Sequence, residues 1–429
     1  MKRKVLIITY YWPPSGGSGV QRWVKFVKYI RDHEWEPVIY TPQNPELPVK
    51  DPTLLKELPE DLTVLKKKIL EPYGIYKKLT GSKKIGVGFL KEDKSPSRFE
   101  ELFRFIRGNF FIPDPRKLWI KPSVRFLTGY LQKHPVEAVV STGPPHSMHL
   151  IARGLREKLN IPWLADFRDP WTNIDFYDEL HLTSWADRKH HQLEYEVLTQ
   201  ADRVTVVSPT MKKNMEAISG RSVDLLTNGF DPDDFPNKSP ALFDSFTIAH
   251  IGSMPHTRNP LNLWRAVKEL TDENPEYAAM NIDLVGNVDY SILQTVKSLG
   301  LDNIVREPGY MSHNDVVAYQ QKCHILLLVL NDTPNAKCLL PGKLFEYMAA
   351  GRPILSIGPA DSDAARMMER SKQYLQAGFD DTKTIKNFIK NQFEKFKKAK
   401  KSVPEADIDP FSRTVLTSKL VNILNQLSS

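Results

Sequence analysis

The chain has 429 residues, 41% hydrophobic and 26% charged, which gives room for two domains with a sizeable core and is ordinary for a globular protein. The formal charge of +8 is unevenly spread, with twelve Lys or Arg against five Asp or Glu between Lys66 and Arg107. No apolar run approaches the roughly 20 residues of a membrane span, and there is neither a Walker-type Gly-Lys-Ser or Gly-Lys-Thr loop nor a nucleic-acid-binding motif.

Met1-Lys2-Arg3-Lys4 followed by Val5 to Trp12 has the outline of an export signal. Pro13-Pro14 cuts the apolar run short and no small-residue cleavage site follows, so a first strand is expected instead. A cytoplasmic location follows from that reading, and with it reduced thiols at Cys323 and Cys338. Ser15 to Val20 is a glycine-rich turn into a helix whose apolar positions Val20, Trp23, Val24, Phe26, Val27 and Ile30 recur at helical spacing. Strand, glycine turn and helix begin a Rossmann-like unit; Gly17 serves either a tight turn needing positive φ or the approach of backbone to a bound sugar or phosphate.

A second strand is expected over Glu36 to Pro42, and from about Pro45 to Pro122 regularity lapses. Within that stretch Lys66-Lys67-Lys68, Lys77-Lys78, Lys83-Lys84 and Lys94 are interleaved with Ile69, Leu70, Tyr73, Ile75, Tyr76, Phe89 and Leu90. Such a segment suits an anionic membrane surface, or is simply a solvated insertion. Val136 to Thr142 reads as a strand, Gly143-Pro144-Pro145 as a turn and His146 to Leu159 as a helix. That places His146 at the carboxyl end of a parallel strand, where an imidazole can donate to a sugar hydroxyl or can be structural. Pro162 to Trp171 repeats the pattern with Asp166, Arg168 and Asp169, which either bind acceptor hydroxyls or form an ion-pair network; Asp169 is the one expected at the site.

Strands over Ala201 to Ser208 and Val223 to Gly229 complete this domain, and Phe246 to Gly252 opens a second strand-helix series through Met280 to Gly286, Asn303 to Pro308, His324 to Leu330 and Pro353 to Gly358. The alternation predicts a second parallel sheet with helices on both faces. Pro341-Gly342 opens a helix that Gly351 closes, directly after the buried strand His324 to Leu330 and its loop. Free N–H groups at such a helix start suit a phosphate. Glu346, one turn in, can accept from a ribose diol, and Lys343 can meet a diphosphate; the same charges also suit an ordinary amphipathic helix.

The stretch Lys343 to Pro353 resembles the nucleotide-sugar-binding region of family-4 retaining glycosyltransferases of the GT-B fold, where a Glu, seven residues and a second Glu precede Met-Ala-x-Gly-x-Pro. Glu346 matches the second Glu, which holds the nucleoside ribose in the family. Cys338 stands where the first Glu would face the donor sugar and diphosphate. Gly252 to Pro260 is similar to the family's phosphate-clamping loop, with Ser253 in place of its Arg and Arg258 at its Lys position.

The resemblance implies an α/β protein of GT-B type, with two Rossmann-like domains across a cleft. An acceptor-binding domain over 1–240 carries the basic insertion at about 66–120, a donor domain spans 241–405, and a helix over 406–429 packs back on the first domain. It also implies sugar transfer, with retention, from a UDP-, GDP- or ADP-linked donor to a glycan or lipid-linked acceptor in bacterial surface-polysaccharide synthesis, without metal or cofactor. His146 and Asp169 are then the expected catalytic residues, and Gly17, Arg258, Lys343, Leu344 and Glu346 the donor-binding ones. A peripheral position on the inner face of the membrane fits the basic segment. The other readings are a GT-B enzyme without transfer, such as a sugar-nucleotide epimerase, and a non-catalytic nucleotide-sugar binder.

Overall fold

The computed structural model describes residues 2–46, 50–71, 98–235, 240–371, 373–398 and 407–428. The chain divides into two units, Met1–Thr227 with Arg413–Ser429, and Asn228–Ser412.

Unit 1 holds strands β1 (Arg3–Ile8), β2 (Trp35–Pro42), β3 (Thr63–Lys67), β4 (Ala138–Gly143), β5 (Trp163–Phe167), β6 (Arg203–Val206) and β7 (Asp224–Leu225). They form one parallel sheet in the order β3-β2-β1-β4-β5-β6-β7. Its helices are α1 (Ser18–Ile30), α2 (Arg98–Phe110), α3 (Lys117–Leu131), α4 (Ser147–Leu159), α5 (Ser184–Gln200) and α6 (Pro209–Ser219), joined by the C-terminal helix. Alternation along β1 decides the layers: Leu6 and Ile8 face one core with Trp119, Leu127, Ile151 and Val197, while Val5 and Ile7 face the other with Trp23, Val27, Leu420 and Leu424.

Unit 2 holds β8 (Thr247–Ile251), β9 (Asn281–Val285), β10 (Val305–Gly309), β11 (Ile325–Val329), β12 (Ile354–Ile357) and β13 (Tyr374–Ala377), parallel and in the order β10-β9-β8-β11-β12-β13. The helices are α7 (Leu261–Glu273), α8 (Tyr290–Ser298), α9 (His313–Lys322), α10 (Lys343–Ala349), α11 (Asp363–Met368) and α12 (Thr382–Lys397); α13 (Arg413–Leu427) follows and belongs to unit 1. One face of this sheet packs Ile248, Leu327 and Leu355 against Trp264, Ile292 and Ile389, and the other packs Ala249, Leu326 and Leu328 against Leu344, Phe345 and Tyr347.

The stretch expected to be irregular, Pro45 to Pro122, instead contains β3, α2 and the start of α3. Pro122 lies inside α3, where it would ordinarily break a helix. Burial of Trp119, Ser123, Val124, Leu127 and Leu131 along one face of α3 outweighs that cost. Much of the basic segment, 72–97, lies outside the described residues. Its near flank is held by Glu71, which accepts from Tyr10 Oη at 2.8 Å and pairs with Arg116 Nε at 3.0 Å.

Asp166, left open by the sequence, is a structural knot. It is fully buried on β5 and accepts from Arg22 Nη2 at 2.8 Å, Trp23 Nε1 at 3.0 Å, Thr142 Oγ1 at 2.8 Å and Thr205 Oγ1 at 2.9 Å. Arg22 in turn donates to the carbonyls of Thr227 and Leu226. One ion pair thereby joins α1, β4, β5, β6 and the exit from β7. Burial opposes the Asp166 charge, but Arg22 and the hydroxyl donors prevail and hold its pKa below the usual value. Its contribution is therefore present above about pH 4 and is lost as pH falls through the lower folded value. Asp166→Ala strands the Arg22 charge in the core and should cost about 3–5 kcal/mol in denaturant unfolding; a loss below about 1 kcal/mol would remove the knot from this role.

Candidate functional site

Parallel sheets bind ligands beyond the carboxyl ends of their strands, where the strand order reverses. In unit 2 that place lies between β8 and β11, and in unit 1 between β1 and β4. The expected donor residues Arg258, Lys343 and Glu346 follow β8 and β11; Gly17 follows β1, His146 follows β4, and Asp169 follows β5, one strand further on.

In unit 2 the chain leaves β8 through Gly252 at φ +115°, beside Gly286 at φ +120°. A Cβ on Gly286 would stand 2.8 Å from Gly252 O, so the two turns pack backbone on backbone. Lys343 and Tyr347, one turn apart on α10, both grip the last residue of β8. Tyr347 Oη accepts from Ile251 N at 3.0 Å, and Lys343 Nζ donates to Ile251 O at 3.0 Å. Lys343 Nζ also lies 3.1 Å from His250 Nε2. His250 Nδ1 sits 3.1 Å from Leu327 O, and because a carbonyl only accepts, Nδ1 carries the hydrogen and Nε2 offers its lone pair to Lys343.

Burial, then the nearby Arg258 guanidinium, push the Lys343 pKa well below the usual lysine value, with Glu346 pulling the other way. Burial, then Lys343 and Arg258, depress His250 likewise, which keeps its imidazole neutral. Both acceptors of Lys343 are uncharged, and no carboxylate among the described residues forms an ion pair with it. Arg258 is fixed through Nε to Asn331 Oδ1 at 2.5 Å and through Nη1 to Ser253 O at 3.1 Å. Glu346, half-buried, accepts from Gln320 Nε2 at 3.2 Å. Lys343, Arg258 and Glu346 are thus brought together. Leu344 is elsewhere: its side chain is fully buried in the core and its N–H donates to Pro341 O. Cys338, at the position of the family's first Glu, is a buried thiol that donates to Asn335 O at 3.0 Å.

In unit 1, His146 caps the start of α4 and stacks on Trp171 with centroids 4.4 Å apart and planes 6° apart. Only 7% of its surface is open, and Nδ1 has no hydrogen-bond partner among the described residues. Burial, helped by His149, His190 and Arg168, drives its pKa well down, so the ring is neutral at ordinary pH. Gly143 makes the packing possible: a Cβ there would lie 2.5 Å from His149 Nε2 and 3.3 Å from His146 Nδ1. Gly17 is exposed at φ +105°, with open space where a Cβ would stand. Asp169 is exposed, beside Arg168, whose guanidinium packs on Gly19 of α1 and donates to Pro144 O.

Three residues escaped the sequence reading. His250 is signalled only as a polar residue inside an otherwise apolar strand. Tyr347 hides in the periodicity of α10. Asp114 accepts from Ser147 N and Oγ at 2.8 and 2.9 Å and so fixes the start of α4 next to His146, a contact across 33 residues that leaves no local trace.

Two parallel-sheet Rossmann-like units, each with polar groups at its strand-order reversal, define an α/β protein with the architecture of GT-B glycosyltransferases. Residues 88–234 match the family model Glycosyltransferase Family 4, and residues 245–385 match Glycosyl transferases group 1. The chain thus carries glycosyltransferase domains in both halves, which indicates a transferase.

Among solved structures, a glycosyltransferase from Rickettsia africae is 13% identical with a TM-score of 0.64, the match covering 99% of this chain and 98% of that one. A UDP-N-acetylglucosamine 2-epimerase, so described provisionally, from Listeria monocytogenes is 10% identical at a TM-score of 0.58, covering 99% and 96%. WaaG, a glycosyltransferase involved in lipopolysaccharide biosynthesis, is 13% identical at 0.55, covering 98% and 99%. At these identities the likeness is one of fold. No curated protein sequence matches the chain significantly.

A His146 held neutral by burial should show no titration between pH 5.5 and 8 in a ¹⁵N-edited histidine NMR spectrum. A midpoint near 6.5, the free-histidine value, would mean that the ring is solvated and that the stack on Trp171 does not hold it.

Proposed function

We propose that this protein is a retaining glycosyltransferase that takes a sugar from a nucleoside-diphosphate donor bound by unit 2 and passes it to a glycan or lipid-linked acceptor bound by unit 1. The observation that carries the reading is Lys343: a half-buried amine nitrogen beyond the end of β8, held by two neutral acceptors beside Arg258, its pKa pushed down by burial with no carboxylate partner among the described residues. Burying a cation without a counterion is costly, and a diphosphate supplies the missing charge. As the glycosidic bond breaks, Lys343 and Arg258 stabilise the departing diphosphate while an oxocarbenium-like sugar forms. Glu346 accepts from the ribose hydroxyls. His146, neutral, donates to the donor sugar, and Asp169 contacts the acceptor. Gly17 leaves room for backbone to approach the sugar, and Leu344 supports the donor residues from the core beneath them.

Retention, the independence from metal and cofactor, and a role in bacterial surface-polysaccharide synthesis rest on the family resemblance. WaaG's part in lipopolysaccharide synthesis is consistent with that role. Cys338 favours a second reading, in which the same nucleotide grip serves an enzyme without transfer or a binder only, because the family's sugar-facing carboxylate is missing. Donor turned over without acceptor would identify the former.

A thermal-shift screen with UDP, GDP, ADP and their sugar derivatives tests the reading, since a ligand at 100 times its Kd stabilises by about 2.7 kcal/mol. One nucleotide should raise Tm, and Glu346→Ala should abolish most of that shift. No shift with any nucleotide would overturn the donor assignment, and an undiminished shift in the variant would overturn the ribose role.

The proposed location is cytoplasmic, peripheral on an anionic membrane surface. No helix among the described residues is long and apolar enough to cross a membrane. Leu102, Phe105, Ile106 and Phe110 are nevertheless exposed at helical spacing on α2, and Leu118 and Phe126 are exposed on α3. Lys67, Lys121, Pro122, Arg125 and Phe126 line a depression of about 510 Å³, its three cations without carboxylate partners among the described residues. Cations beside exposed apolar groups match an anionic headgroup layer. Vesicle binding should rise with phosphatidylglycerol content, fall with salt, and weaken in Lys121→Glu/Arg125→Glu; indifference to all three would remove the membrane from the picture.

A further inference from the structure

We propose that His250 is the positioning residue of the donor site, acting on the diphosphate through Lys343. This deepens the donor-binding reading and rests on it. His250 is fully buried in the middle of the unit 2 sheet, on β8, beside the strand-order reversal. Its ring is immobilised from the neighbouring strand by Leu327 O at 3.1 Å, which fixes the tautomer and aims the Nε2 lone pair at Lys343 Nζ, also at 3.1 Å.

With a diphosphate bound, whose charge favours the protonated form, Lys343 is an ammonium with three hydrogens. One goes to His250 Nε2 and one to Ile251 O, which leaves one whose direction the first two determine. A Cβ on Gly252 would stand 3.5 Å from the same nitrogen, so the absence of a side chain there keeps the space beside Nζ open.

The grip also sets the helix. Lys343 and Tyr347 hold the carbonyl and the N–H of Ile251, so α10 is registered against the end of β8 at two points one turn apart. His250 completes the first of them. Without its lone pair, a flexible four-carbon lysine stem would hold Nζ by a single bond to Ile251 O, and ordering that stem would fall to the ligand. The cost would appear in diphosphate affinity rather than in the fold. The charged or titratable groups facing the imidazole are Lys343 from α10 and Arg258 from the turn at 256–258; on the β11 side it meets the Leu327 carbonyl.

The experiment is a double-mutant cycle read by calorimetric titration of UDP, GDP and ADP separately into wild type, His250→Leu, Lys343→Met and the double variant. His250→Gln, which keeps an acceptor near the Nε2 position, is the conservative control. For the nucleotide that binds wild type, His250→Leu should weaken Kd about tenfold, the scale of one lost hydrogen bond to a charged group. His250→Gln should recover most of the loss. In the Lys343→Met background, His250→Leu should change Kd less than about twofold, because its only route to the ligand is gone. An equal loss in both backgrounds would mark His250 as a core residue that weakens the site by loosening the sheet, and would overturn the proposal. So would unchanged affinity in His250→Leu while Lys343→Met is impaired, a result that leaves the donor-site reading intact. Absence of nucleotide binding to wild type would overturn both.

Discussion

A parallel strand cannot return to its neighbour by a tight turn; it must cross over the sheet, and every crossover leaves from the carboxyl end. Where the strand order reverses, two adjacent strands send their chains in opposite directions, and the backbone between them parts. Both units have this arrangement, β1 beside β4 and β8 beside β11. The residues at these places belong to the departing chain: Gly17 after β1, His146 after β4, Gly252 and Arg258 after β8, Asn331 and Lys343 after β11. Their placement follows from the topology, and their chemistry from what each loop carries.

Buried charge is handled in opposite ways in the two units. Asp166 is surrounded by four donor residues from three elements, and its charge is settled within the fold; nothing about it asks for a ligand. Lys343 has two neutral acceptors, a cationic neighbour in Arg258, and only the more distant influence of Glu346 in its favour. An electrostatic debt of that kind is hard to explain as stabilisation, because an apolar side chain would pack at least as well. It is readily explained if an anion completes it. The same contrast separates Asp166 from Asp169, two carboxylates three residues apart, one knotted into the core and the other open to solvent.

The alternating architecture was legible because fully buried strands such as Ile325–Val329 read as continuous apolar runs, and the helices between them carry clear periodicity. The stretch from Pro45 to Pro122 was not. β3 is an edge strand with lysines in it, and α3 contains Pro122, so local signals pointed away from structure that tertiary packing supplies. Among the site residues, Lys343, Glu346 and Arg258 were visible from their places at loop and helix starts. His250 was not, since a histidine inside a strand looks the same whether it is a satisfied core residue or a hand that holds a lysine. Asp114 was invisible for another reason: its partner Ser147 is 33 residues away, and no spacing rule reaches that far.

A fold shared with both a glycosyltransferase and a provisionally described epimerase does not by itself select a reaction. The grip on a nucleoside diphosphate is common to such chemistries, so the donor role proposed for Lys343, Arg258 and Glu346 leaves the fate of the sugar open. What selects it must touch the sugar. In the family that task falls partly to a carboxylate whose place Cys338 occupies here, and the thiol is turned to Asn335 O inside its own loop. A buried thiol cannot replace a carboxylate as an acceptor for sugar hydroxyls. On the proposed transfer reading, the missing contact falls to other donor-side groups or to His146, which burial keeps neutral and able to donate. A proposed transfer would then lean on the neutral imidazole at 146 for part of what the carboxylate supplies in the family.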